Sequence, residues 1–106
     1  MAIYMDPASR KLALRGRDGT LAVDQKGQAA LVVDRLPAAP DGMTYEAWVI
    51  PRGAKPVRAG VFRGGGSTTM VPLEGAVPSG AVVAATIERA GGVDAPTASP
   101  VLSAQT

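Results

Sequence analysis

Hydrophobic and polar residues alternate along short stretches of this chain, and turn-forming residues separate the stretches. In residues 10–15, Leu12 and Leu14 fall on one face and charged side chains fall on the other. An alternation with a period of two is typical of a half-buried β-strand. Asp18-Gly19 follows, and we expect a hairpin turn there, because glycine readily adopts the positive φ that tight hairpins need.

The same alternation recurs along the rest of the chain. The predicted strands span residues 10–15, 20–24, 28–34, 45–50, 55–62, 67–74, 81–89 and 101–102. Residues 45–50 are apolar on both faces except at Glu46, which predicts a strand in the centre of its sheet. The pattern as a whole predicts an all-β fold, an antiparallel, immunoglobulin-like β-sandwich of seven or eight short strands.

Eight hydrophobic side chains are expected to contribute much of the core. They are Leu12, Leu14, Leu21, Val32, Trp48, Ile50, Val83 and Ile87. Trp48 is the expected anchor, because a lone tryptophan on a central strand of a sandwich usually packs inside it. A register shift of one residue inverts every strand face, so the alternation leaves open which face of each strand points inward.

The length of 106 residues fits one domain. Residues 1–9 show no periodicity and are predicted to form a tether, whereas residues 10–106 are predicted to form the sandwich. The longest unbroken apolar runs are residues 29–33 and 81–85. Both are far shorter than the roughly 18 residues that a membrane-spanning helix needs.

Composition removes several kinds of chemistry. The chain has no cysteine and no histidine, so it lacks thiol chemistry, disulfides and the most common general base. A nucleophilic serine would have to rely on a lysine. The aspartates lie mostly at predicted turns, where they favour backbone hydrogen bonds. We therefore expect no enzyme activity and no catalytic, cofactor-binding or metal-binding residues, and a small hydrolase is only a third alternative.

One charged stretch suggests a binding surface. No acidic residue occurs between positions 47 and 73, whereas Arg52, Lys55, Arg58 and Arg63 are basic. On one rim these side chains could contact an anionic lipid or cell-wall polymer. An ordinary solvated strand face is the favoured interpretation, because four charges are a weak signal. The net charge of +2 predicts no nucleic-acid partner.

Several blocks of the sequence resemble a known family. The most specific lie in residues 31–37, which end in Leu36-Pro37, and in residues 40–51, which contain Tyr45-Glu46-Ala47-Trp48-Val49-Ile50-Pro51. Residues 59–62, 77–88 and 91–102 add weaker matches. Together they resemble the C-terminal domain of the anti-sigma-K factor family over roughly residues 10–103.

The resemblance implies a membrane-anchored protein with three parts. A cytoplasmic domain, absent from this chain, binds an extracytoplasmic-function sigma factor, one helix crosses the membrane, and the present domain lies on the extracytoplasmic side of the bacterial cell membrane. Site proteases then cleave the anti-sigma factor in stages and release the sigma factor. This chain is expected to be either part of such a protein, with residues 1–9 next to the membrane, or a stand-alone relative.

Two functions of different classes follow from these expectations. The first is a sensory or regulatory domain whose folded sandwich limits protease access. The alternative is a cell-envelope module that binds carbohydrate or cell wall. An aromatic platform would favour the second, but aromatic residues make up only 4% of the chain.

Overall fold

Strands make up most of the structure. A computed structural model describes residues 2–106, in which eight strands follow one short helix. The helix is α1 (Ala2–Met5), and the strands are β1 (Arg10–Ala13), β2 (Gly19–Val23), β3 (Ala29–Asp34), β4 (Met43–Ile50), β5 (Val57–Phe62), β6 (Thr68–Pro72), β7 (Val82–Arg89) and β8 (Leu102–Gln105). Each strand overlaps a predicted one, and the strand count is confirmed.

The strands form two antiparallel sheets of four. Sheet one has the order β1-β2-β3-β6, and sheet two has the order β5-β4-β7-β8. The pairing of β3 with β6 and the run β4-β7-β8 correspond to strands B–E and C–F–G of an immunoglobulin-like sandwich. The predicted all-β, immunoglobulin-like sandwich is therefore confirmed.

The two sheets enclose a core of small and branched side chains. Sheet one contributes residues such as Leu21, Leu31 and Val33, and sheet two contributes Val83 and Leu102. Alternation explains the selection, because successive side chains of a strand point to opposite faces. Valine and alanine predominate, which suits closely packed strands with few aromatic rings.

The predicted core is partly correct. Leu21 and Val83 lie in the core between the sheets, and Leu12, Leu14 and Ile87 pack against it half-buried. Val32, Trp48 and Ile50 instead lie on the outer faces, because their neighbours along the strands occupy the core. Trp48 is fully buried as predicted, and it lies on the outer face of sheet two rather than in the cluster between the sheets.

The N-terminal residues contact sheet one. Residues of α1 lie against β2 and β3, and the Lys11 ammonium lies 5.8 Å from the centre of the Tyr4 ring. Ser9 is buried. The role of residues 1–9 as a membrane-proximal tether stays a prediction.

Within residues 2–106, no helix has the length and hydropathy required to cross a membrane.

Hydrogen bonds also join the two sheets along their borders. Arg15 and Ser103 exchange two backbone bonds of 2.8 and 3.0 Å, which link the chain just after β1 to β8. On the other side the Glu74 N–H donates to the Ala59 carbonyl at 3.0 Å. These bonds satisfy backbone groups that an open sheet edge would leave unpaired.

Tyr45 connects the core to the loop before β4. Its ring stacks on Phe62 with centroids 5.4 Å apart, and its hydroxyl donates to the Pro37 carbonyl at 2.8 Å. Replacing Tyr45 by phenylalanine keeps the stacking and removes only this bond. We expect a loss of about 1 kcal/mol in the free energy of unfolding, measured by urea denaturation. A loss as large as that of Tyr45→Ala would show that the hydroxyl, rather than the ring, holds the loop.

Candidate functional site

The outer face of sheet two carries a buried polar cluster. Four of its side chains are Glu46 and Trp48 from β4 and Thr86 and Glu88 from β7. In the register of the two strands, Glu46 lies opposite Thr86 and Trp48 lies opposite Ala84. The intervening residues of both strands fill the core, so these four point away from it. None is more than 1% exposed, which requires a cover on this face.

The two glutamates are covered by irregular chain between β7 and β8, residues 90–100, which we call the cover segment. It begins at Gly91-Gly92, where both residues have positive φ, 89° and 83°. A Cβ on Gly92 would lie 2.9 Å from Glu46 Oε2. Glycine is therefore needed at position 92 both for the backbone conformation and for the close approach to the carboxylate.

Glu46 holds the first half of the cover segment. Its Oε1 accepts a 2.7 Å bond from the Val93 N–H, and its Oε2 accepts a 2.9 Å bond from Arg58 Nε. The same guanidinium donates to Asp94 Oδ1 and to the Gly91 carbonyl, both at 3.3 Å. Arg58 thus joins the fully buried carboxylate of Glu46 to two residues of the cover segment.

Glu88 holds the second half of the cover segment. Its Oε2 accepts a 3.1 Å bond from the Thr97 N–H, and its Oε1 accepts a bond from the Thr97 hydroxyl. Thr86 Oγ1 donates to Oε2 at 2.6 Å and accepts a 2.9 Å bond from Trp48 Nε1. A continuous chain of hydrogen bonds therefore runs from the indole of Trp48 through Thr86 to Glu88 and Thr97.

These contacts set the protonation state of Glu88. Burial raises the pKa of this carboxyl, but bonds from the Thr86 and Thr97 hydroxyls and from the backbone of Thr97 and Ala98 favour the charged form. The bonds outweigh burial and bring the pKa below its ordinary value of 4.5. Because the folded state binds the proton less tightly, this contribution to stability is present above that value and is lost as the pH falls through the folded pKa.

The cluster is arranged to bind its own chain. All four carboxylate oxygens of Glu46 and Glu88 accept bonds from protein groups. Across residues 2–106, no three acidic side chains come together in a way that could hold a metal ion. The two buried carboxylates hold the irregular segment in place, and protein donors satisfy their hydrogen-bonding capacity.

The basic residues singled out in the sequence are spread along the β4–β5 hairpin. Arg52 and Lys55 lie exposed in the turn after β4. Arg63 follows β5 at the other end of the hairpin, where its Nη1 donates to the Met43 carbonyl at 3.3 Å. Arg58 alone of the four is bonded into the cluster on sheet two. Contact of these residues with an anionic surface stays a prediction.

The buried cluster was not predicted from the sequence. Glu46 was visible as the one charge in an otherwise apolar strand, and Gly91-Gly92 as a turn. A charge in the middle of a central strand is a signal for a buried, partnered carboxylate, since such a group is costly to bury alone. The partners lie far along the chain, at positions 93 and 97.

The chain was compared with known protein families, curated proteins and solved structures. The family model described as "Anti-sigma-K factor rskA, C-terminal" matches residues 4–101. No curated protein and no solved structure matches the chain. The matched range includes every residue of the buried cluster and nearly all of the sandwich. This chain belongs to the family of C-terminal domains of the anti-sigma-K factor rskA.

Proposed function

We propose that this domain is the extracytoplasmic regulatory part of a membrane-anchored anti-sigma factor, and that it controls the release of an extracytoplasmic-function sigma factor through regulated proteolysis. The observation that carries the proposal is the family match over residues 4–101. A family of anti-sigma factors implies a sigma factor as the protein partner. Membrane attachment, the extracytoplasmic location and the proteases belong to the proposal.

The fold suggests how the domain would act on a protease. Proteases bind their substrates as extended chain, and segments already paired in a sheet do not offer that chain until they open. Every strand here pairs with at least one neighbour, so access depends on local or global opening. The stability of the sandwich would then set the rate at which the anti-sigma factor is cut.

The domain is proposed to have no catalytic activity of its own. Neither histidine nor cysteine is present, and the buried carboxylates of Glu46 and Glu88 are engaged by protein donors. Their role in this proposal is structural. An esterase, glycosidase or phosphatase turnover that one serine, aspartate or lysine substitution abolishes would contradict it.

A graded loss of stability tests the regulatory role. Ile87 packs half-buried against the core, and Ile87→Ala should cost about 2 kcal/mol, which raises the population of open forms about 30-fold. In the membrane-attached protein we expect more extracytoplasmic cleavage and more sigma-dependent transcription, because cleavage follows the open population when reclosing is fast. Immunoblots of the fragments and a transcriptional reporter provide the two measurements.

Ile87→Val and Leu31→Ala extend the series to smaller and larger losses. Lys55→Ala is the matched surface change, since Lys55 is exposed in the turn after β4. Arg58→Ala is unsuitable as a surface control, because Arg58 is bonded to Glu46. If cleavage stays constant across the core series while a surface change controls it, the domain is instead a receptor for a ligand such as a cell-wall polymer.

A further inference from the structure

The cover segment is attached to the sandwich in an unusual way. Its backbone is tied to other backbone groups only near its ends, where Ala90 N–H donates to Gly42, Gly92 N–H to Arg89 and Val101 N–H to Ala85. Between these points, residues 93–100 form no backbone-to-backbone bond with any other described residue. The middle of the segment therefore depends on side chains to stay in place.

The side chains that hold the middle of the cover segment are two carboxylates and the groups that donate hydrogen bonds to them. Of the central residues, Val93 is bonded to Glu46 and Thr97 to Glu88. The stretch as a whole contributes little burial, since residues 94, 95 and 97–100 are exposed. A segment with few buried apolar groups and an exposed backbone opens at a lower free energy than the sheets beneath it.

Protonation would weaken this attachment. A charged acceptor binds N–H and O–H donors about twice as strongly as a neutral one. The charged groups bonded into the cluster are Glu46 on β4, Glu88 on β7, Arg58 on β5 and Asp94 in the cover segment. The outer face of β8 adds only the uncharged Ser103 and Gln105. Since Glu88 is the better acceptor when ionised, acid favours the detached segment.

Detachment would uncover an aromatic surface. Trp48 lies on the outer face of sheet two, outside the core between the sheets, and it is fully buried. Its indole N–H is bonded to Thr86, which is bonded in turn to Glu88. Opening of the cover segment can therefore expose Trp48 while both sheets keep their register and their shared core.

We propose that the cover segment is a latch that Glu46 and Glu88 hold closed through their hydrogen bonds, and that acid, acting at Glu88, releases it to expose Trp48 before the sandwich unfolds. The inference stands on the hydrogen bonds and burial of this face and does not depend on the proposed role in sigma-factor release. The latch is a local equilibrium between a bonded and a detached segment.

The wild-type protein allows a direct test, because Trp48 is its single tryptophan. Acrylamide quenching of Trp48 fluorescence reports access to the indole, and far-UV circular dichroism reports the strands. On lowering the pH below the ordinary glutamate value of 4.5, we expect quenching to rise while the strand signal is unchanged. Quenching that rises only together with loss of the strand signal would overturn the proposal.

Variants at neutral pH supply a second test. Glu88→Gln removes the charge, and Thr97→Val removes one donor from an exposed residue, so the second variant leaves the sandwich intact. We expect the opening equilibrium measured by hydrogen exchange at the Val93 and Thr97 amides to rise roughly tenfold or more in Glu88→Gln. Faster cleavage within residues 90–100 by a nonspecific protease should accompany it.

Glu74→Gln is the matched control, since it makes the same chemical change at an exposed carboxylate. It should leave quenching, exchange and cleavage as in the wild type. If Glu88→Gln and Thr97→Val also match the wild type in all three measurements, the carboxylates do not hold the cover segment and the proposal is wrong.

Discussion

Replacing Trp48 by alanine should lower the free energy of unfolding by about 3–5 kcal/mol, the usual cost of truncating a fully buried large aromatic side chain. Although Trp48 lies outside the core between the sheets, it is completely buried, so its removal leaves a cavity on the outer face of sheet two. The alanine variant also leaves Thr86 without its indole donor. Urea denaturation followed by circular dichroism measures the loss, since the variant has no tryptophan to report it.

Two further substitutions sharpen this result. Trp48→Phe keeps most of the ring volume but removes the donor to Thr86, and we expect a smaller loss of about 1–2 kcal/mol. Met70→Ala, at a residue exposed on β6, should change stability by less than about 0.5 kcal/mol. A loss below about 1 kcal/mol for Trp48→Ala would show that the cover segment collapses onto the vacated space or contributes little to the native state.

Replacing Gly19 by alanine should cost about 3 kcal/mol or more, because it adds steric overlap to backbone strain. Gly19 has a φ of +155° at the start of β2. A Cβ there would meet the Val32 carbonyl oxygen of β3 closer than 3.0 Å, and would also lie 2.9 Å from Leu14 Cδ1. The Val32 carbonyl cannot move far, since Gly19 is paired with Val33 in the ladder between β2 and β3.

The variant Gly53→Ala separates the cost of backbone strain from the cost of steric overlap. Gly53 also has a positive φ, +71°, but no atom lies within 4 Å of the position that its Cβ would take. Its substitution should therefore cost only the conformational strain, about 1–2 kcal/mol. Thermal and urea unfolding of both variants provide the comparison. Equal losses at the two positions would mean that β2 and β3 separate easily enough to accommodate a methyl group.

The strands were predictable because their signal is local. Alternation and turn residues both act over a few positions. The chain turns between β1 and β2 as expected, with Gly16 at a φ of +87° in the turn and Gly19 at +155° at the start of β2. The inward face of β4 was not predictable in the same way. All six residues between its ends are buried, because one face packs in the core and the other under the cover segment. A strand covered on both sides lacks the alternation that would identify its inner face.

The buried cluster depends on placement that a single sequence does not contain. Glu46 and Glu88 are 42 positions apart and meet the same segment only through the pairing of β4 with β7. The basic residues show the opposite relation, because they are close in sequence but separated in space. The β4–β5 hairpin carries Arg52 and Arg63 to opposite ends, so proximity along the chain did not indicate one surface.

The placement of β8 after the cover segment has a consequence for any break in the chain there. β8 pairs with four residues of β7 and supplies Leu102 and Ala104 to the core. While the chain is intact, its tether keeps the strand at an effective concentration on the order of millimolar. After a cut between residues 90 and 100, β8 becomes a separate peptide whose binding depends on its bulk concentration. At micromolar protein, the bulk concentration of the β8 peptide is about a thousand times lower than its effective concentration in the intact chain. A cut in an irregular loop would therefore remove a strand from the core.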